Sequence, residues 1–346
     1  MISPKKTILL VTSVLFIAAF VLWVSIARQN RENYYDAVFD LMKAGQYEKA
    51  LLFFKKNIKR NPKSPDSYFN LGYCNGKLGR FTDAVAAYKE ALRISPNSAL
   101  AYYNMGVAYV ELGRYIEGID CYKKAIEINP NYAEAYANLG AAYGRTQHYE
   151  EALHVYKQAV LIKPDYPGVY YNMGEVYGKL ERWKDAIHAY KEVVRINPDF
   201  AFAYYLMGDA YSNLGQWKEA VKSYKDAIRV KPDYAMAHCF LGVAYEKLGQ
   251  SIHAIESYKK AVSINPDFPR AYINLAEIYS MLGSWKDTVQ TYKQLLATDP
   301  DCAEGHYGLA MAYIKTGEKD SAAQQYELLK SLDKDMAEKL SLLLHR

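Results

Sequence analysis

Cysteine is scarce: four in 346 residues (Cys74, Cys121, Cys239 and Cys302), with no C-x-x-C pair. That excludes a disulfide-stapled scaffold and leaves a zinc knuckle or rubredoxin-type site without ligands. The GxxxxGKS/T phosphate loop, HExxH and GxSxG are also missing; Gly72 to Lys77 (GYCNGK) has the wrong spacing for the first. Charge of one sign is lacking as well. A net charge of +5 with 23% charged residues falls short of the concentrated basic face of a nucleic-acid binder. With 51% apolar residues the chain is neither disordered nor collagen-like. Phenylalanine (11) and tryptophan (4) are few beside 34 tyrosines, a skew that needs a cause.

The chain has a single long apolar run. Thr7 to Ala27 contains no charge over 21 residues, about 31 Å of helix at ~1.5 Å per residue, enough to cross a bilayer core. Lys5 and Lys6 precede it, Arg28 and Arg31 follow it, and Trp23 sits where an interfacial anchor would. Ser25-Ile26-Ala27 resembles a cleavage site, so a signal peptide is the alternative; the run exceeds the ~7–15 residues of a signal core, which favours an uncleaved anchor. The expectation is a single-pass protein of a plasma or inner membrane. Positive charges on the two sides do not separate the orientations, and the lysine-bearing short tail favours a repeat region outside the cytoplasm.

A strict period of 34 residues governs the rest. After a tail (1–6), the anchor (7–27) and a linker (28–30), nine units follow without insertion: 31–64, 65–98, 99–132, 133–166, 167–200, 201–234, 235–268, 269–302 and 303–336. Residues 337–346 then place Leu340, Leu343 and Leu344 on one side of a short helix expected to cap the last hairpin. Eight of the twelve prolines fall at position 32 of the unit and three at position 1, where a missing N–H costs least. Within 65–98, Tyr68, Leu71 and Gly72, then Ala84, Tyr88, Ala91 and Ile94, have the i, i+3/i+4 spacing of two helices. Glycine ends the first helix in seven units, for instance Gly79 and Gly113; Gln147 and Glu181 replace it in two, which predicts differently shaped turns there. Small residues mark the contact between helices: Gly72 and its equivalents to Gly242 on the first, Ala50, Ala84 and equivalents on the second. Such hairpins cannot bury their apolar faces alone and must stack.

The period, the aromatic-x-x-Leu/Met-Gly-x-x-Tyr run, the Ala-x-x-x-Tyr-x-x-Ala run and the closing Pro resemble tetratricopeptide repeats. The resemblance implies an all-α, right-handed superhelical solenoid of nine hairpins, first helices lining a concave face, preceded here by the one transmembrane helix. The central repeats look most like the arrays of O-linked N-acetylglucosamine transferases and of bacterial assembly scaffolds. Units one, eight and nine depart from the pattern, as with Ala276 and Ala310 for Gly and Lys334 for Pro, in the manner of end caps.

From that family geometry, positions 2, 5, 6, 9, 12 and 13 face the groove. Position 6 carries Asn70, Asn104, Asn138, Asn172 and Asn274; a carboxamide offers both donor and acceptor to a peptide backbone. The transferase arrays use such an asparagine ladder for extended polypeptide. Position 5 carries Tyr35, Phe69, Tyr103, Tyr171 and Tyr205, either anchoring platforms for a ligand or packing between hairpins. The co-chaperone carboxylate clamp would need Lys or Arg along this row, and none is there. The groove reads as amphipathic and near neutral. Lysines at position 25 in eight units, such as Lys89 and Lys123, read as a solvated helix face. His238 and His306 stand in a tyrosine slot and read as aromatic replacements; His154 and His188, one repeat apart, lack a third metal ligand.

Twenty-two of the 34 tyrosines fill positions 4, 11 and 24, so the aromatic skew is mostly one framework choice repeated. No acid–base or nucleophile constellation appears, and only 10 residues follow the array, so no enzyme, cofactor, metal, nucleic-acid or small-molecule site is expected. The function expected is a membrane-anchored scaffold that binds polypeptide segments of partners in its groove and serves assembly of an envelope complex. The alternatives are a self-associating structural scaffold, with homo-oligomers, and an auxiliary subunit of a membrane-bound enzyme or of secretion or pilus machinery.

Overall fold

The computed structural model describes residues 36–344. The expected anchor at 7–27 and the candidate residue Tyr35 lie outside the described residues. Among the described residues there are helices and turns without strands, and no helix is long and apolar enough to cross a membrane.

The repeat predicted from the spacing is the repeat observed. A helix occupies 36–43 of the first unit, followed by Tyr47–Arg60. In the second unit Pro65–Lys77 pairs with Phe81–Ile94, and in the third Ala99–Glu111 pairs with Tyr115–Ile128. Hairpins through the eighth repeat keep the same 13- and 14-residue lengths, as in Pro269–Met281 with Trp285–Thr298, and the ninth pairs two 14-residue helices, Ala303–Thr316 and Lys319–Leu332. Position-1 prolines sit at the first helical residue, where their fixed φ suits the helix and no N–H is lost. Ser64 and Ser98 accept from the backbone N–H three residues on, at 3.3 and 3.2 Å, and so cap their helices.

The hairpin turn needs one left-handed residue. Gly79 has φ +74°, its N–H bonds Gly76 O at 3.1 Å, and Arg80 N–H bonds Asn75 O at 2.8 Å. The expectation of differently shaped turns at Gln147 and Glu181 is corrected here. Both hold φ of +62° and +55°, with matching bonds from His148 N–H to Tyr143 O and from Arg182 N–H to Tyr177 O, each 2.9 Å. The surrounding hairpin dictates the turn, and a side chain bears the steric cost that glycine avoids.

The chain divides into two compact units, one ending at Ile162 and one beginning at Lys163. In the first, buried alanines at the helix crossing (Ala50, Ala84) let second-helix aromatics such as Phe54, Tyr88 and Tyr122 fill the core. Gly72 and Gly106 leave room for those rings; a methyl on Gly72 would lie 2.8 Å from Tyr88. The second unit repeats the device with Gly208 against Tyr224 and Gly242 against Tyr258. Its last helix, Lys334–Leu344, begins three residues before the expected cap at 337–346. Lys334 stands where other repeats have the position-32 proline, so nothing stops the chain from re-entering a helix there, and Asp333 caps it by accepting from Met336 N–H at 2.9 Å. Ala337 and Leu340 bury against Ala310 and Leu329 of the last hairpin.

Two slots carry more than packing. His238 and His306 are buried as expected of tyrosine replacements, and each also bonds a turn carbonyl, Nε2 to Pro232 O at 3.0 Å and to Pro300 O at 2.8 Å. Burial holds the His238 imidazole below its ordinary pKa. Position-25 lysines are less idle than a solvated face. Lys89, Lys123, Lys225, Lys259 and Lys293 each place the ammonium 5.5 to 5.9 Å from the ring centre of the position-11 tyrosine of the following repeat.

Candidate functional site

Each unit has a cleft that opens on the first-helix side. The cleft of the first unit has a volume of about 800 Å³ and is lined by Phe39, Met42, Phe69, Asn70, Tyr103 and Asn104 among others. That of the second unit, about 1100 Å³, is lined by Ile273, Asn274, Glu277, Trp285, Tyr307 and Met311 among others. Most of these residues occupy positions 2, 5, 6, 9, 12 and 13 of the repeat. First helices present them together because those positions fall on one stripe of a 3.6-residue helix.

The position-6 asparagines are all half-buried, yet they are not equivalent. Asn70 and Asn104 each donate Nδ2–H to the backbone carbonyl four residues earlier, Asp66 O and Leu100 O, at 2.8 Å. Among the described residues no donor reaches their Oδ1, so each offers the cleft an acceptor. Asn138 instead donates to Tyr103 Oη at 3.0 Å, tying two repeats of the first unit together. In the second unit Asn274 lines the cleft and reaches Cys239 Sγ at 3.9 Å, and Asn172 is half-buried on the equivalent stripe.

The position-5 aromatics are interleaved with the framework. Phe69 lies 5.7 Å from Tyr88, and Tyr103 lies between Tyr122 at 5.9 Å and Tyr132 at 5.0 Å. Tyr171 packs on Tyr190 and Phe200, and Tyr205, which is buried, on Tyr224 and Tyr234. Burial raises the Tyr103 pKa.

Sequence reasoning missed a row of carboxylates. Glu175, Asp209 and Glu277 at position 9, with Glu246 at position 12, follow the stripe through the second unit. Two are aimed by buried tyrosines: Tyr190 Oη donates to Glu175 Oε1 and Tyr258 Oη to Glu246 Oε2, both at 3.0 Å. Burial and Glu175 raise the Asp209 pKa; burial and Glu246 raise that of Glu277, with Arg270 opposing. Over the same repeats the stripe also carries Lys179 and Lys247 at position 13 and Arg270 at position 2, so the groove expected to be near neutral separates its charges, carboxylates at positions 9 and 12 and bases at positions 2 and 13. Reading position 9 column by column would have found three of the four.

The cysteines lie free in the core, with burial pushing Cys74 up to about 11 and Cys121 and Cys239 up to about 12, so the thiols are unreactive. Among the described residues no three His, Cys, Asp or Glu side chains gather as metal ligands.

Stacked helical hairpins with an inner stripe lining a cleft define a helical-repeat protein. Models described as "TPR repeat" match residues 76–113, 108–147, 146–181, 208–249 and 253–283, and models described as "Tetratricopeptide repeat" match 53–86, 167–200, 189–222 and 282–343. The chain belongs to the tetratricopeptide repeat family. None of these matching models describes an enzyme. Among curated proteins none matches the chain. Of solved structures, the C-terminal part of a TPR repeat-containing protein from Cytophaga hutchinsonii aligns at TM-score 0.62 with 17% identity, over 69% of this chain and 98% of that one. YrrB, described as a TPR protein with an unusual peptide-binding site, aligns at 0.49 with 26% identity, over 54% and 96% of the chains. MamA from Desulfovibrio magneticus aligns at 0.46 with 24% identity, over 49% and 95%.

Proposed function

We propose that this protein is a non-enzymatic interaction scaffold whose clefts hold polypeptide segments of partner proteins, and that residues 7–27 anchor it in a membrane where it assembles or recruits an envelope complex. The observation that carries the reading is the pair Asn70 and Asn104. Both line one cleft one repeat apart, each with one Nδ2–H bonded to its own helix and its Oδ1 left for a ligand N–H. Acceptors repeated along a helical stripe, among apolar neighbours such as Phe39 and Leu100, suit a main chain whose side chains are apolar. The 21-residue uncharged run supports the anchor by its length.

Photocrosslinking in cells tests the cleft. A crosslinker at Asn104 is expected to capture partner polypeptide that one at the exposed, outward Lys123 does not; equal capture from both sites sinks the reading. The anchor has its own test. Because the native thiols are buried, a Lys319→Cys variant in intact cells reports the side of the repeats through an impermeant maleimide. Quantitative release of the protein by salt or carbonate washing would rule out an anchor.

A further inference from the structure

Along repeats five to eight the stripe changes character. Position 6, asparagine in four consecutive earlier units, becomes Leu206 and then Phe240. Position 2 becomes Phe202 and Met236, which are 37% and 42% exposed. Phe202 stacks on Tyr205 at 5.8 Å and meets Tyr171 at 6.2 Å, while Phe240 packs on Tyr205 at 5.7 Å and on Tyr224 at 6.2 Å. The result is a continuous aromatic strip inside the second unit, fixed by its own stacking and open on one side. Aromatic surface left in water in this way marks a place where something docks.

The neighbouring column says what docks. Glu175, Asp209, Glu246 and Glu277 run beside the strip, and among the described residues none forms an ion pair. Burial and the carboxylate of Glu175 raise the Asp209 pKa, Asn213 Nδ2–H reaches Asp209 Oδ2 at 3.5 Å, and Arg270 opposes the rise at Glu277. Tyr190 and Tyr258 hold two of the carboxylates in place from behind. The bases of these repeats, Arg270 at position 2 and Lys179 and Lys247 at position 13, stand at other positions of the stripe than the carboxylates. We infer that the groove of the second unit, over repeats five to eight, is built for a basic amphipathic polypeptide segment that lays apolar side chains on Phe202, Met236 and Phe240 and directs lysine or arginine to the four carboxylates. The inference rests on the polypeptide-binding reading above and specifies its chemistry. Cations arriving there relieve carboxylate repulsion in a partly dehydrated place, and the same charges repel an acidic segment, so they select as well as bind.

The test uses the full chain in non-ionic detergent with three fluorescein-labelled synthetic peptides of about 15 residues, long enough to span several repeats. All share the same leucine and phenylalanine positions; the intervening residues are lysine, glutamate or glutamine. The lysine peptide is expected to bind at least roughly tenfold more tightly than the other two, and to weaken between about 50 and about 300 mM salt. An Asp209→Asn, Glu277→Gln double variant should lose roughly tenfold affinity for the lysine peptide and leave the glutamine peptide unchanged. Phe240→Asn should weaken both, and a circular dichroism melt of each variant separates lost binding from lost fold. Equal binding of all three peptides, abolished by Phe240→Asn, would overturn the basic partner while leaving polypeptide binding intact. Binding of none would count against both readings.

Discussion

The ring of Tyr292 lies against the Cα of Gly308, in the space that a side chain at that position would occupy. In six repeats the equivalent tyrosine packs on a glycine of its own first helix, as Tyr258 does on Gly242. In the eighth repeat that glycine is Ala276, fully buried, and the ninth repeat supplies Gly308 where five earlier units carry asparagine. The two departures from the repeat pattern compensate each other through one ring.

Gly308→Asn should therefore drive the side chain into Tyr292 and cost about 1–3 kcal/mol, the usual price of overpacking a filled core. Adding Ala276→Gly should return part of that loss by giving the ring the seat its counterparts use. Urea melts of the two single variants and the double variant measure the coupling. Additive losses would show that Tyr292 does not link the positions.

Gln147→Gly and Glu181→Gly should each stabilise the protein by about 1 kcal/mol, because the left-handed turn costs a side chain more than it costs glycine. The change removes no contact between helices, so it should raise the denaturation midpoint without altering the denaturant slope. A loss of stability in either variant would mean that the side chain holds the turn by contacts that outweigh the strain.

How the hairpins form was legible because one device recurs: position-1 proline, turn glycine and the small-residue crossing repeat at fixed spacing, and periodicity is what a sequence displays best. The Gln147 and Glu181 turns were misread because residue identity was weighed above the cooperative demand of two flanking helices. The cap at Lys334 was legible in composition but misplaced in its start, since a missing proline is a weaker signal than a present one. Asn70 and Asn104 were placed on the right stripe, while their hydrogen-bond roles depend on rotamers that spacing cannot show. The acidic row escaped because it begins only at the fifth repeat and shifts to position 12 at Glu246, and the tyrosine bonds that hold two of its members depend on rotamers.

His238 makes stability depend on pH in mild acid. Burial lowers its folded pKa below the unfolded value near 6.5. The unfolded chain then binds more protons as pH falls below that value, so stability drops toward acid, by at most about 1.4 kcal/mol per pH unit for one proton. His238→Tyr installs the residue most other repeats carry there, and thermal melts between pH 7.5 and pH 5.5 should show a flatter dependence in the variant. An unchanged slope would assign the dependence to other groups.

Asp209 carries the opposite sign. Burial and the nearby Glu175 raise its folded pKa above the unfolded value of about 3.9, so the ionised carboxylate weakens the fold as pH rises through the folded pKa. Below the unfolded value both states are protonated and nothing is lost. Asp209→Asn should therefore stabilise the protein at pH 7, with the gain shrinking toward pH 4 and vanishing below it, as followed by melts across that range. A destabilised variant at neutral pH would mean that Asp209 is paired rather than repelled in the folded chain. The expected gain in stability should come with a loss of affinity for the lysine peptide, because the same unpaired charge that strains the groove is what a basic segment neutralises. Retaining such a residue against its cost to folding is the pattern of a binding site that is completed by its ligand.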